Sequence, residues 1–233
     1  MIFKMPQKLP ITREQAIELL KSMPQQQSDW NHYLESEAIM KALAEKLGED
    51  VEYWAMLGLF HDIDWALTKE NLKEHCIKAV EILKEKGFGS EFIQIIQSHG
   101  YGYVRNAMKV CISEHPKIPK KAEEFFDKEI PALADKKREN RIEHALAASE
   151  TATGLIYAYA LMRGKKISDM EVSGLKKKFK DKRFDENCNR EIIKEIEQTG
   201  ISLDEFFGIA IKAMQEIKGG LGLYRKAFIV QIA

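Results

Sequence analysis

Apolar residues recur at three- and four-residue steps along almost the whole chain, and strict alternation is nearly absent. That spacing gathers apolar side chains on one face of a helix, whereas on a strand it would scatter them over both faces. Such a chain buries its apolar stripes by packing helix on helix, so the expected fold class is all-α. The stretch "ITREQAIELLKSM" opens with Thr12 as a cap and carries Glu14 and Gln15 in the first turn. Helices are expected over 30–47, 50–62, 69–86 and 90–99. Pro116, Pro119 and Pro131 then break the pattern. One long helix is expected over 138–163, with shorter ones over 168–180, 187–199 and 202–217. In "GGLGLYRKAFIVQIA", 219–233, two glycines end the last helix. The residues after them read as an extended arm that packs on its own domain or on a second copy of the chain.

Bulk properties exclude some function classes. Lys+Arg and Asp+Glu balance at 36 each, which leaves no basic footprint for nucleic acid, so no nucleic-acid partner is expected. Cys76, Cys111 and Cys188 are far apart and lack CxxC spacing. This suits a reducing compartment and argues against a zinc ribbon or a disulfide framework. The segment "MIFKMPQKLP" has no long apolar core, and no apolar run reaches the length of a membrane span. A cytoplasmic protein without membrane attachment is therefore expected. No P-loop, GxGxxG or GxSxG motif is present.

The histidines are more informative. His32 begins the row Ser36, Ile39, Leu43. Trp54, Leu57 and His61 share a face, with Asp62 on the neighbouring row and Gly58 between the rows, leaving room for another helix. Leu72, His75, Cys76, Ala79 and Leu83 align, as do Phe92, Ile95, Ile96 and His99. Four segments thus each aim a histidine at the core. One buried histidine is ordinarily satisfied by a carbonyl. Four together, with a carboxylate beside one of them, point to a metal site, because neutral imidazole is the commonest side-chain metal ligand. The long helix offers a further carboxylate, Glu150, flanked on its row by the small residues Ala147 and Gly154, which would admit a close helix. His144 lies six residues from Glu150, about 240° round the helix, and is not expected to be a ligand. His115 falls in the irregular region.

The ordered set His32, His61-Asp62, His75, His99 and the acid in "ASETATGLI" resembles the HD-domain superfamily of metal-dependent phosphohydrolases, an all-α family named for its His-Asp doublet. The resemblance covers roughly residues 12–165. It extends through "SGLKKKFKDKRF" toward a small bacterial and archaeal subgroup of unknown substrate. It implies an HD-type domain over 1–165, a helical extension over 166–218 packed on the same domain, and a tail over 219–233. By this resemblance His32, His61, Asp62 and Glu150 hold one metal, and His75 and His99 occupy the places that supply a second. Two departures stand out: Glu150 replaces the family's aspartate, and Gly100 follows His99 where some two-metal members carry another histidine.

The implied cofactor is one or two divalent transition ions: Mn, Fe, Co, Ni or Zn. Such an ion lowers the pKa of bound water and polarises a phosphoryl oxygen, giving attack of metal-bound hydroxide on phosphorus. Asp62 has two oxygens and is the expected bridge between ions. Asp64 is expected to carry a proton, to support the ligands, or to be a solvent-exposed helix end. Tyr101, Arg105, Lys177 and Lys178 are the expected contacts to substrate, a small phosphorylated molecule such as a nucleotide. Two other functions remain open: a di-iron oxygenase on the same scaffold, and a non-catalytic metal-containing ligand-binding or signalling module.

Overall fold

The computed structural model describes residues 7–101, 133, 136–185 and 188–220. Among them every regular element is helical. In chain order these are α1 (Arg13–Lys21), α2 (Gln27–Leu47), α3 (Val51–Phe60), α4 (Trp65–Thr68), a 3-10 turn (Leu72–Glu74), α5 (Lys78–Glu85) and α6 (Ser90–Ser98). Beyond the segment that is not described come α7 (Arg141–Met162), α8 (Val172–Lys180), α9 (Arg190–Lys194), a second 3-10 turn (Glu195–Thr199) and α10 (Leu203–Ile217).

Local chemistry sets the boundaries. Thr12 and Gln15 cap α1 reciprocally: the Thr12 hydroxyl accepts from the Gln15 N–H and the Gln15 amide oxygen from the Thr12 N–H. Asp50, Asn140 and Ser202 accept the orphan N–H groups of α3, α7 and α10. Gly48, at φ 70°, ends α2 in the left-handed conformation.

The helices assemble around α2, which packs against α3, α7 and α10. Tyr33, Phe60, Phe206 and Phe207 are fully buried at this centre, and burial of such a side chain contributes about 1.5–3 kcal/mol. The crossing of α2 and α3 is unusually close. A Cβ on Gly58 would lie 2.5 Å from the Ser36 carbonyl oxygen, so glycine alone lets the helices meet there. This contact brings the C-terminal end of α3 beside the first turns of α2.

Two sequence expectations need correction. The single helix expected over 69–86 is instead a 3-10 turn (Leu72–Glu74) followed by α5 (Lys78–Glu85), with the short α4 preceding them. The break passes through Cys76, at φ 64°. Its physical cause is Asp64: one carboxylate oxygen accepts from the Ala79 N–H at the start of α5 and the other contacts His75, both at 2.9 Å. A continuous helix could not supply both contacts. Gly154, in turn, brings no close helix among the described residues: it is exposed, and a Cβ there would meet none of them within 4 Å.

One carboxylate in this core is uncompensated. Glu35 is buried, its Oε1 has no partner among the described residues, and burial pushes its carboxyl well above the ordinary range. An acid that keeps its proton longer in the folded than in the unfolded chain makes stability fall as pH rises between the two values. Glu35→Gln is therefore expected to flatten the pH dependence. Thermal melts should show the variant at least about 2 °C more stable near pH 8, with the gap closing toward about pH 5. Parallel curves for the two proteins would contradict this.

Candidate metal centre

His61 follows the last residue of α3, and its Nδ1 donates back to the Gly58 carbonyl at 2.8 Å. On α2, His32 Nδ1 contacts the Thr153 hydroxyl of α7 at 2.9 Å; that hydroxyl donates to the Glu150 carbonyl at 2.6 Å, so it accepts from His32. Both Nδ1 atoms thus carry the proton, and both Nε2 atoms are left with a lone pair. Those two Nε2 atoms lie 2.9 Å apart.

The same arrangement recurs alongside. His75 Nδ1 donates to Asp64 Oδ1 at 2.9 Å, and His99 Nδ1 to the Ile96 carbonyl at 2.5 Å. Their Nε2 atoms lie 3.3 Å apart. Asp62 stands between the two pairs. Its Oδ2 is 3.7 Å from His32 Nε2 and 3.6 Å from His61 Nε2; its Oδ1 is 3.4 Å from His75 Nε2 and 3.1 Å from His99 Nε2.

Paired Nε2 atoms at such separations share either a proton or a cation lying between them. The residues therefore fit divalent ions: neutral imidazoles anchored through Nδ1, converging on a carboxylate. Electrostatics agrees. Burial lowers His32 and takes His61 down to about 3, keeping both neutral. Burial alone would raise Asp62, yet His61, His99 and His75 outweigh it and hold the carboxyl well below its usual range. Burial also opposes charge on His75 and His99, but Cys76 and the bonds to Asp64 and Asp62 respectively push both well above an ordinary imidazole. The field that draws a proton to these nitrogens draws a cation to the space between them. His32 keeps 29% of its side chain exposed and Asp62 14%, against 0% for His61 and 2% for His99, so the centre opens on the His32 side.

Other sequence candidates fall as follows. Asp64 is fully buried with both oxygens engaged, one orienting His75; the solvent-exposed helix end is ruled out. Glu150 is buried, and burial pushes its carboxyl up to about 7 against the pull of His99 and Thr151. Its Oε1 accepts from the Thr151 hydroxyl at 2.5 Å, and it joins neither close donor group, His32–His61–Asp62 or His75–Cys76–His99. Tyr101 is buried, with Lys136 5.8 Å from its ring centre. Arg105 and His115 lie outside the described residues. Lys177 is exposed on α8, and Lys178 lies against the rings of Phe184 and Tyr159. Tyr159 is nine residues, about 13 Å along the α7 axis, from Glu150, so α8 is not brought to the centre. His144 contacts Glu195 at 2.8 Å instead of the cluster.

Three contributors were missed in the sequence. Thr153 fixes His32; its signal was a small polar residue on a buried face of α7, three positions after Glu150. Tyr33 reaches the Asp62 carbonyl with its hydroxyl at 3.3 Å. Arg138 donates to the Ser98 and Tyr101 carbonyls and forms a two-pronged pair with Glu195, clamping the backbone on either side of His99. Nothing local in the sequence marks that long-range pair. A separate open groove of about 1990 Å³, lined by Arg13, Glu37, Asp50 and Trp54 among others, includes none of the four clustered histidines; donor chemistry, not concavity, locates the site.

The family model for the HD domain matches residues 29–136. The match covers a little under half of the chain, and this segment is similar to HD domains. The HD domain is an all-helical fold and defines a superfamily of metal-dependent phosphohydrolases that bind divalent ions, in keeping with the His and Asp clusters described above. Among curated proteins, the chain is 28% identical over 144 residues to Ribonuclease Y of Thermosipho melanesiensis, covering 59% of this chain and 26% of that protein. It thus spans about a quarter of the relative's length. No solved structure matches the chain. No described helix is long and apolar enough to cross a membrane.

Thr153→Val removes the acceptor of His32 Nδ1 while keeping the side-chain shape. Metal affinity, measured by competition with a chromophoric chelator, is expected to fall about 10–100-fold with the helical circular-dichroism signal unchanged. Unaltered affinity would show that the hydroxyl does not orient His32.

Proposed function

We propose that the chain is a phosphohydrolase acting on a small phosphorylated molecule such as a nucleotide, with His32, His61, Asp62, His75 and His99 holding two divalent ions. The observation that carries this reading is the single carboxylate of Asp62 reaching toward two anchored imidazole pairs. Divalent ions there would supply Lewis acidity toward a phosphoryl oxygen and lower the pKa of a water for attack on phosphorus.

The chain's own groups prepare that chemistry. His32 and His61 present neutral nitrogens without a proton to lose. Asp64 holds His75 in the ligating tautomer, so its part is positioning rather than proton transfer. Glu150 is the additional carboxylate; its Oε1 accepts from the Thr151 hydroxyl, which leaves Oε2 as its donor toward an ion. Lys69 lies 3.7 Å from Asp29, whose charge reaches His32. We take that lysine, rather than Lys177 or Lys178, as the proposed contact to a phosphate. Cleavage of RNA is a second reading, supported by the relative's name and disfavoured by the balanced charge.

A screen of nucleotides, simple phosphate esters and short RNA, with Mn²⁺, Co²⁺, Ni²⁺ or Zn²⁺, tests this. Turnover of a small phosphate compound is expected, and Asp62→Ala should lower it by more than the about 10–100-fold typical of residues outside the ligand set. Turnover of RNA alone would replace the nucleotide reading with the nuclease one. A metal-loaded protein that turns over nothing in the screen would favour a binding module, and an O₂-dependent product an oxygenase.

A further inference from the structure

The two donor groups differ in one respect that the HD pattern does not contain. Beside His75 and His99 lies a thiol. Cys76 is fully buried, and its Sγ is 3.8 Å from His99 Nε2. It could be read as a small core hydrophobe, the usual role of a buried free cysteine. Three observations speak against that.

First, His75, Cys76 and His99 form one close donor group, and four separations among these residues and Asp62 are those of a coordination tetrahedron. With metal–nitrogen distances near 2.0–2.1 Å and metal–sulfur near 2.3 Å, a tetrahedron has N···N edges of about 3.3 Å and N···S edges of about 3.6 Å. The observed edges are 3.3 Å for His75–His99 and 3.8 Å for Cys76–His99, with Asp62 Oδ1 at 3.1 and 3.4 Å from the two nitrogens. Second, Cys76 holds a left-handed backbone, φ 64°, a conformation costly for a residue with a Cβ and concentrated at functional sites. Gln97 Nε2 donates to its carbonyl at 3.2 Å and so helps to hold it there. Third, the thiol occupies space that only glycine leaves open: a Cβ at position 100 would stand 2.8 Å from Sγ. Gly100, where some relatives are expected to carry a histidine, is thus the residue that lets sulfur in.

We infer that Cys76 is a thiolate ligand, completing with His75, His99 and Asp62 a four-donor position that selects a thiophilic ion such as Zn²⁺. The other position, His32–His61–Asp62, offers only nitrogen and oxygen. The centre is therefore asymmetric in donor softness, and the two positions differ in the ions they prefer. On binding, the S–H bond breaks, a sulfur–metal bond forms, and the proton leaves to solvent. The inference rests on the metal-centre part of the proposed function and not on which bond is cleaved.

Co²⁺ titration of the full chain tests it. The wild type should develop a thiolate-to-cobalt charge-transfer band in the near ultraviolet together with visible ligand-field bands. Cys76→Ser should keep ligand-field bands from the first position and lose the charge-transfer band, with Zn²⁺ affinity of one position falling more than about 100-fold. Cys188→Ser and Cys111→Ser should retain the band. Gly100→Ala, which presses on Sγ, should weaken it. Zinc absorption fine structure should show one sulfur at about 2.3 Å in the wild type and none in Cys76→Ser. Cobalt binding without the charge-transfer band, or a band that survives Cys76→Ser, would overturn the thiolate assignment and leave the metal centre standing. Failure to bind Co²⁺ or Zn²⁺ at all would overturn both.

Discussion

The carboxylate of Asp62 faces an imidazole pair on each side, and the surrounding structure can be understood as what that placement requires. Each imidazole must be neutral, must present Nε2, and must be held so by a partner at Nδ1. The four partners come from four places: the Gly58 and Ile96 carbonyls, the Thr153 hydroxyl and the Asp64 carboxylate. Two are backbone groups in the last turns of helices, where carbonyls have no i+4 helical partner. The other two are side chains, and each has a second bond that sets its orientation. Four nitrogens and one carboxylate are thus pre-organised with little freedom left to lose when an ion arrives.

This arrangement has structural consequences. Asp62 and His61 sit where α3 stops, and α3 reaches His32 only because Gly58 lets it close on Ser36. His75 and Cys76 sit where a helix is interrupted, and the interruption is held by Asp64. His99 sits where α6 stops, beneath the Arg138 clamp. The proposed ligands of α3, α6 and the α4–α5 connection therefore occupy element ends, where backbone direction can change. The cost is visible in the strained Cys76 backbone and in buried polar atoms of Glu35, Ser36 and Ser149 left without partners among the described residues.

Much of this was legible in the sequence, and the limits are physical. Three- and four-residue spacing depends on helix geometry alone, so α2, α6, α7 and α10 emerge close to the expected bounds, and the inward faces of His32, His61 and His99 with them. The Thr12 cap is legible because its partner is three residues away. The break after α4 is not, because it depends on Asp64 meeting Ala79 and His75 across a fold not yet formed. Thr153 and the Arg138–Glu195 pair are invisible for the same reason. Gly154 misled because small size permits a close approach without causing one. Lys178 misled because a basic run is legible as charge, while its destination against Tyr159 and Phe184 depends on how α8 packs.

The central claim is that Asp62 joins two metal positions. Anomalous diffraction from crystals of the protein grown with Mn²⁺ or Zn²⁺ tests it most directly. The account predicts two anomalous peaks about 3.5–4 Å apart, one beside His32 and His61, the other beside His75 and His99, with one Asp62 oxygen directed at each. A single peak that Asp62 does not touch, or fully bound metal in crystals of Asp62→Ala, would contradict it.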